Sequence, residues 1–310
     1  MGTLILLFLE FSVRLFVPEI QLPGTQRSII QDSVFSDSPG LFPSSRGLSK
    51  GVLKSTDLSG FWKYSSVNDS LSILFLGDSV TMGIGTENDS TFPGLIHNSL
   101  SGFHILNPSL IGYSSRDYLN IVTDLIVEKE NYHQIKSVFL FWCLNDIYDN
   151  HSIQNAPGFD SDNLFGSVMV LIRNNSKLYL FLKKHFTDRP AAYFRHDQQF
   201  YESNDPDFRS AVDQILSIKS LLEKREVDLK VILLPYEYQL RNSGNYTLSS
   251  PQDTLSMALK NNDISSFDLI PAIHEKNIVS EKLYQYGDGI HFSDKGHSIV
   301  AEILLQEFFQ

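Results

Sequence analysis

Ser79, His291 and Asp288 are residues whose types and spacing could do chemistry together in this 310-residue chain. Ser79 ends the triplet Gly77-Asp78-Ser79, directly after the apolar run Ile73 to Leu76. A serine hydroxyl becomes a nucleophile when a base takes its proton and fixed donors hold the anion that develops. Asp288 and His291 stand three apart in GDGIHFSDKGH (287–297), a spacing that lets a carboxylate orient an imidazole and stabilise its cation. His297 of the same stretch reads as structural. Gly77 and Ser79 could equally make a turn and cap a helix.

Other uses of the glycine-rich stretch fail on spacing. A dinucleotide fingerprint starting at Gly83 and Gly85 needs a glycine where Asn88 stands, and no Gly-Lys-Ser/Thr phosphate loop follows. The nucleophile elbow of α/β-hydrolases needs a glycine where Thr81 stands. No cofactor motif survives. The nine histidines are scattered without metal-ligand spacing, so no metal is expected either.

The elements that must position these residues read as strands alternating with helices, hence a parallel sheet covered on both faces. Ile73–Leu76 is a buried strand with Ser79 beyond its carboxyl end, where open α/β sheets bind ligands. A helix is expected over 91–100 and a second strand over 103–106. Gly112 then sits in a strand-to-helix loop, serving either the turn alone or close approach of its N–H to a ligand. A helical pattern follows over 116–127. Ser137–Cys143 is the third strand and runs into Asn145 and Asp146. Asn145 is either a turn residue or an amide donor aimed at negative charge. Cys143 reads as a small buried residue.

Between 148 and 205 lies an insertion too long for an ordinary connection. Its apolar helical pattern over 164–186 and the aromatic residues after it suggest either a cap over the site or a helix hairpin packed on the core. Asp205 and Pro206 open a further helix. A fourth strand covers 230–234, and Tyr236 and Gln239 beyond it are candidate substrate contacts. A helix over 254–259, a fifth strand over 267–270 and a terminal helix complete the pattern.

Composition, with 42% hydrophobic and 20% charged residues, is that of a folded globular chain. The net charge of −11, with no basic cluster to offset it, excludes nucleic acid as an expected partner. One cysteine permits no internal disulfide.

Residues 2–17 are apolar apart from Glu10 and Arg14, four apart on one helical face, and Pro18 ends the helix. The run is short of the roughly 20 residues needed to span a bilayer. Residues 1–18 are expected to be the end of a membrane anchor, its first turns missing from the given start, or else an amphipathic surface helix. Residues 19–70, rich in Ser, Pro and Gly, read as an irregular linker or arm before a catalytic domain over 71–310.

Gly77-Asp78-Ser79, Gly112, Asn145-Asp146 and Asp288-x-x-His291, in this order and each at a strand end or before the last helix, resemble the four blocks of the SGNH (GDSL-type) hydrolases. The resemblance implies an α/β, flavodoxin-like three-layer sandwich with a central five-stranded parallel sheet. It implies Ser79 as nucleophile, His291 as base, Asp288 as its orienter, and an oxyanion hole from the Ser79 and Gly112 N–H groups and the Asn145 amide. Asp78 and Asp146 would support these. The chain departs in the third block, where the family usually has Gly-x-Asn-Asp and Cys143 stands here. The implied activity is hydrolysis of an O-acyl or O-acetyl ester without a cofactor. Acyl transfer to a cell-envelope carbohydrate by the same residues, or carbohydrate or lipid binding without turnover, are the alternatives. The apolar helix followed by a linker resembles membrane-anchored bacterial members, which implies an extracytoplasmic catalytic domain.

Overall fold

The computed structural model describes residues 2–22, 28–65, 71–128, 135–148, 164–241 and 248–309. In chain order, helix α1 (Gly2–Phe16) precedes strands β1 (Ile30–Phe35), β2 (Ser38–Leu41), β3 (Arg46–Ser49) and β4 (Val52–Ser55). Then come β5 (Leu71–Leu76), α2 (Ser79–Met82), α3 (Phe92–Ser99), β6 (Phe103–Leu106), α4 (Ser115–Val122) and β7 (Ile135–Trp142). The insertion carries α5 (Leu164–Asn175), α6 (Lys177–Phe186) and α7 (Arg189–Asp197). The chain closes with α8 (Pro206–Glu223), β8 (Asp228–Leu233), α9 (Glu237–Leu240), α10 (Ser250–Lys260), β9 (Ser266–Asp268), α11 (Leu269–Glu275) and α12 (Asp294–Phe308).

The central sheet has the order β6-β5-β7-β8-β9, and every neighbouring pair is parallel. Its strands are the expected apolar runs. Leu74, Phe75 and Leu76 of β5 and Val138, Leu140 and Phe141 of β7 are fully buried. At roughly 1.5–3 kcal/mol per large side chain, this burial fixes where the two strands end. The helices fall into two packed groups, α3 with α12 and α11, and α4 with α8 and α10. β6 and β7 lie on opposite sides of β5, so the direction of winding reverses there. A crevice therefore opens beyond the carboxyl ends of β5 and β7.

Some expectations are corrected. The fifth strand is shorter than 267–270, because the Asp268 carboxylate accepts from the Ile270 N–H and starts α11 at Leu269. The stretch 19–70 holds regular structure in two antiparallel hairpins, β1–β2 and β3–β4. The helical pattern over 164–186 is two helices broken at Ser176, and Leu171 and Ile172 of α5 and Leu182 and Phe186 of α6 are exposed rather than packed on the core. Residues 149–163, the first part of the expected insertion, lie outside the described residues.

The break at Ser176 has a tertiary cause. Glu10 of α1 accepts hydrogen bonds from the Lys177 and Leu178 N–H groups and from the Ser176 hydroxyl, so its carboxylate sits at the amino-terminus of α6. Arg14 binds Glu10 at 2.7 Å, as the i,i+4 spacing predicts, and also donates to the Asn175 carbonyl. Partial burial would raise the Glu10 carboxyl, but these donors leave it below its ordinary value. No helix among the described residues is long and apolar enough to cross a membrane.

Candidate active site

Asp78 starts the four-residue helix α2, its Oδ1 accepting from the Val80 N–H at 2.8 Å. Gly77 is required before it, since a Cβ there would lie 2.1 Å from the Thr81 hydroxyl. The turn holds Ser79 at the crevice with its Oγ 3.0 Å from Asp78 Oδ2 and 3.0 Å from His291 Nε2. The single hydroxyl proton can go to either acceptor.

His291 reaches Ser79 from a loop organised by Asp288. Asp288 Oδ1 accepts from the Ile290 and His291 N–H groups at 3.2 and 3.0 Å and lies 2.8 Å from His291 Nδ1. Burial alone would push the Asp288 carboxyl up, but the charge and hydrogen bond of His291, with the cations Lys50 and Arg189 nearby, hold it well below the usual carboxylate range. An ionised Asp288 can only accept, so the imidazole proton belongs on Nδ1 and Nε2 is left to accept from Ser79. A hydroxyl, an imidazole and a carboxylate joined in this way can run acyl transfer through the oxygen.

Asn145 lies in a 3₁₀ turn, Leu144–Ile147, that follows β7. Its Nδ2 donates to Asp78 Oδ2 at 3.1 Å, which brings the third strand end to the first. A GDSL-like lipase/acylhydrolase family model matches residues 73–304, from β5 into α12. The chain belongs to that family. Membership makes this acylhydrolase a carboxylic ester hydrolase.

Solved structures of similar fold include a lipolytic G-D-S-L family protein from Veillonella parvula, 12% identical, covering 78% of this chain and 100% of that one with a TM-score of 0.48. The acetylxylan esterase Axe2 from Geobacillus stearothermophilus is 14% identical, covers 79% and 97%, and has a TM-score of 0.47. LAE5, an α/β hydrolase from the metagenome of Lake Arreo, is 14% identical, covers 78% and 95%, and has a TM-score of 0.46. No curated protein matches the chain.

The remaining sequence candidates of the acylhydrolase fall in different places. Gly112 is in the β6–α4 loop with φ of 79°, a left-handed conformation that favours glycine. Asp146 is fully buried, accepting from the Tyr118 hydroxyl and the Cys143 N–H, and burial followed by the Asp78 charge pushes its carboxyl well up. It braces the turn that carries Asn145. Cys143 is buried and its thiol is pushed up by burial, the opposite of an activated nucleophile. His297 is buried with Nδ1 accepting from the Phe92 N–H, and burial pulls it down to about 3.

Tyr236 and Gln239 are corrected as substrate contacts. Gln239 is 2% exposed and bonded to Leu248 and Gln252, because the α9 turn directs it inward. Tyr236 is fully buried, its hydroxyl 3.2 Å from Asn145 Oδ1 and 2.6 Å from Asp197 Oδ2. It stands behind Asn145, and its one hydroxyl proton can go to Asn145 Oδ1 or to Asp197 Oδ2. Asp197, the last residue of α7, also receives the Tyr148 hydroxyl. Sequence reasoning missed Asp197 and Lys50, whose Nζ is 3.3 Å from Asp288 Oδ2. Neither lies in a motif, and the aromatic run before Asp197 was its only signal.

Proposed function

We propose that Ser79 is the nucleophile of a serine esterase that works through an acyl-serine intermediate. The continuous Ser79–His291–Asp288 hydrogen-bonded chain is the observation that carries this reading. Ser79 Oγ attacks the ester carbonyl while His291 Nε2 takes its proton, and Asp288 stabilises the imidazolium. The N–H groups of Ser79 and Gly112 and the Asn145 amide, released from Asp78, hold the oxyanion. His291 then protonates the leaving alkoxide, the acyl–enzyme forms, and water activated by the same imidazole hydrolyses it. An apolar cavity of about 170 Å³ has Met82, one turn beyond Ser79, and Leu110 and Ile111, just before Gly112, in its wall. We assign the acyl chain to it.

Turnover of p-nitrophenyl esters of increasing chain length, with Ser79→Ala beside the wild type, tests this reading. Activity should be lost in the variant and extend to chains longer than acetyl. Activity confined to acetyl would remove the cavity from the account, and folded protein inert to every ester would overturn the esterase reading. Because Asp288 is held ionised, kcat/KM should fall on acidification once His291 carries a proton and can no longer accept the one from Ser79. A flat profile down to about pH 4 would contradict His291 as base.

Asn145→Ala should lower kcat by about 10²- to 10³-fold, the usual cost of one oxyanion donor. Tyr236→Phe, which keeps Asn145 but removes the hydroxyl behind it, should cost less, about tenfold, with KM little changed. An unchanged kcat in Asn145→Ala takes that residue out of the hole.

Membrane association through α1, with the catalytic domain extracytoplasmic, is part of the same proposal. Leu6, Leu7, Phe8 and Phe11 are each more than half exposed, which supports seating in a lipid interface. Phe8→Glu should reduce co-sedimentation with phospholipid vesicles, and equal recovery of variant and wild type in the supernatant would reject it.

A further inference from the structure

The β3–β4 hairpin lies outside the stretch 73–304 that matches the family, yet it touches both halves of the site. On β4, Lys54 is buried, with Nζ donating to the carbonyls of Met82, Gly83 and Thr86, in the segment that follows Ser79. At its turn, Ser49 Oγ accepts from the Gly85 N–H, and Lys50 Nζ donates to Gln285 Oε1 at 2.6 Å and to Asp288 Oδ2 at 3.3 Å. Gln285 in turn donates to the Ile84 carbonyl. The hairpin therefore ties the segment bearing the nucleophile to the segment bearing the acid and base.

Lys50 itself stands out. It has φ of 46°, followed by Gly51 at 78°, in a two-residue turn whose first position favours Asn, Asp or Gly. A lysine held left-handed stores strain that a glycine would avoid. Its side chain is not free in solvent, being 22% exposed against an Asp288 carboxylate that is 9% exposed.

We propose that Lys50 is a positioning residue of the triad, pinning Asp288 Oδ2 so that Oδ1 stays turned to His291 Nδ1, and setting the pH at which the base becomes active. This rests on the reading of Ser79, His291 and Asp288 given above. With Oδ1 occupied by three groups from its own loop, Lys50 is the cation bonded to the other oxygen. Its positive charge offsets the carboxylate seen by the imidazole and so disfavours the imidazolium. The other titratable and charged groups around the pair are Arg189 from α7, Asp78 beside Ser79, His297 and Lys54 beyond His291, and Lys184, Asp188, Glu237, Arg241 and Glu281, which line a cavity with Asp288. All of these stay in place when Lys50 is changed.

The test is the rate at which a fluorophosphonate labels Ser79, measured against pH in the full chain for the wild type, Lys50→Arg, Lys50→Met and Lys50→Glu, with Tm as the check on folding. The midpoint of the acid limb should stay near the wild-type value in Lys50→Arg. It should rise by about half a pH unit in Lys50→Met and by about one unit in Lys50→Glu, as expected for a partly screened charge at this range. Lys50 is a partly exposed turn residue, so folding is expected in all three. A common midpoint in all four proteins would overturn the proposal, as would equal loss in Lys50→Arg and Lys50→Met with no shift. Absence of labelling in the wild type would instead overturn the triad reading, and the role of Lys50 with it.

Discussion

The contact on which the rest depends is the 3.0 Å approach of His291 Nε2 to Ser79 Oγ, which joins residues 212 apart in sequence. Neither residue can hold the other, because the serine opens a single helical turn and the histidine sits on a loop. The serine is placed by the end of β5, whose last residues are completely buried, and by the Asp78 cap of a single helical turn. The histidine is placed by a loop whose carboxylate binds its own backbone and whose far end enters α12, packed against α3. The sheet and its helices therefore act as the ruler that sets one hydrogen bond.

Two segments outside the central sheet reinforce that ruler. The β3–β4 hairpin places Lys54 under the loop after Ser79 and Lys50 on Asp288. From the insertion, α7 brings Asp197 to the Tyr236 hydroxyl, behind Asn145. Burial raises the cost of failure for both. Lys54 has its amine pulled down to about 7 by burial, and its three carbonyl partners are the compensation for taking it out of water. A missing partner for such a group would cost more than the hydrogen bond itself contributes in net terms.

What the sequence made legible was whatever depended on local pattern. β5 and β7 finish in unbroken apolar runs, Ile73–Leu76 and Val138–Trp142, because both faces of a parallel sheet are covered, so their ends, and hence Ser79 and Asn145, could be located by eye. Asp205 and Pro206 opening α8 were equally local. The arm hairpins were not legible, since RGLS and VLKS are too short to show alternation and owe their form to packing on the domain. The break between α5 and α6 was hidden in part for a similar reason: Ser176 caps α6 locally by accepting from the Tyr179 N–H, but the carboxylate that binds the next two N–H groups comes from residue 10. Gln239 was misread because being beyond a strand end says nothing about which way a side chain points. Lys50 and Asp197 carry no motif, and only the tertiary fold shows what they touch.

The central claim is that Ser79 carries the acyl group between ester and water. Rapid quenching of the enzyme with p-nitrophenyl acetate, followed by peptide mass spectrometry, measures this directly. The account predicts an added acetyl group on the peptide containing Ser79 in the wild type, accumulating further when His291 is replaced by a residue that cannot activate water, provided the ester is reactive enough to acylate without a base. Turnover that proceeds with no acylated Ser79, or with the acetyl group on another side chain, would contradict it.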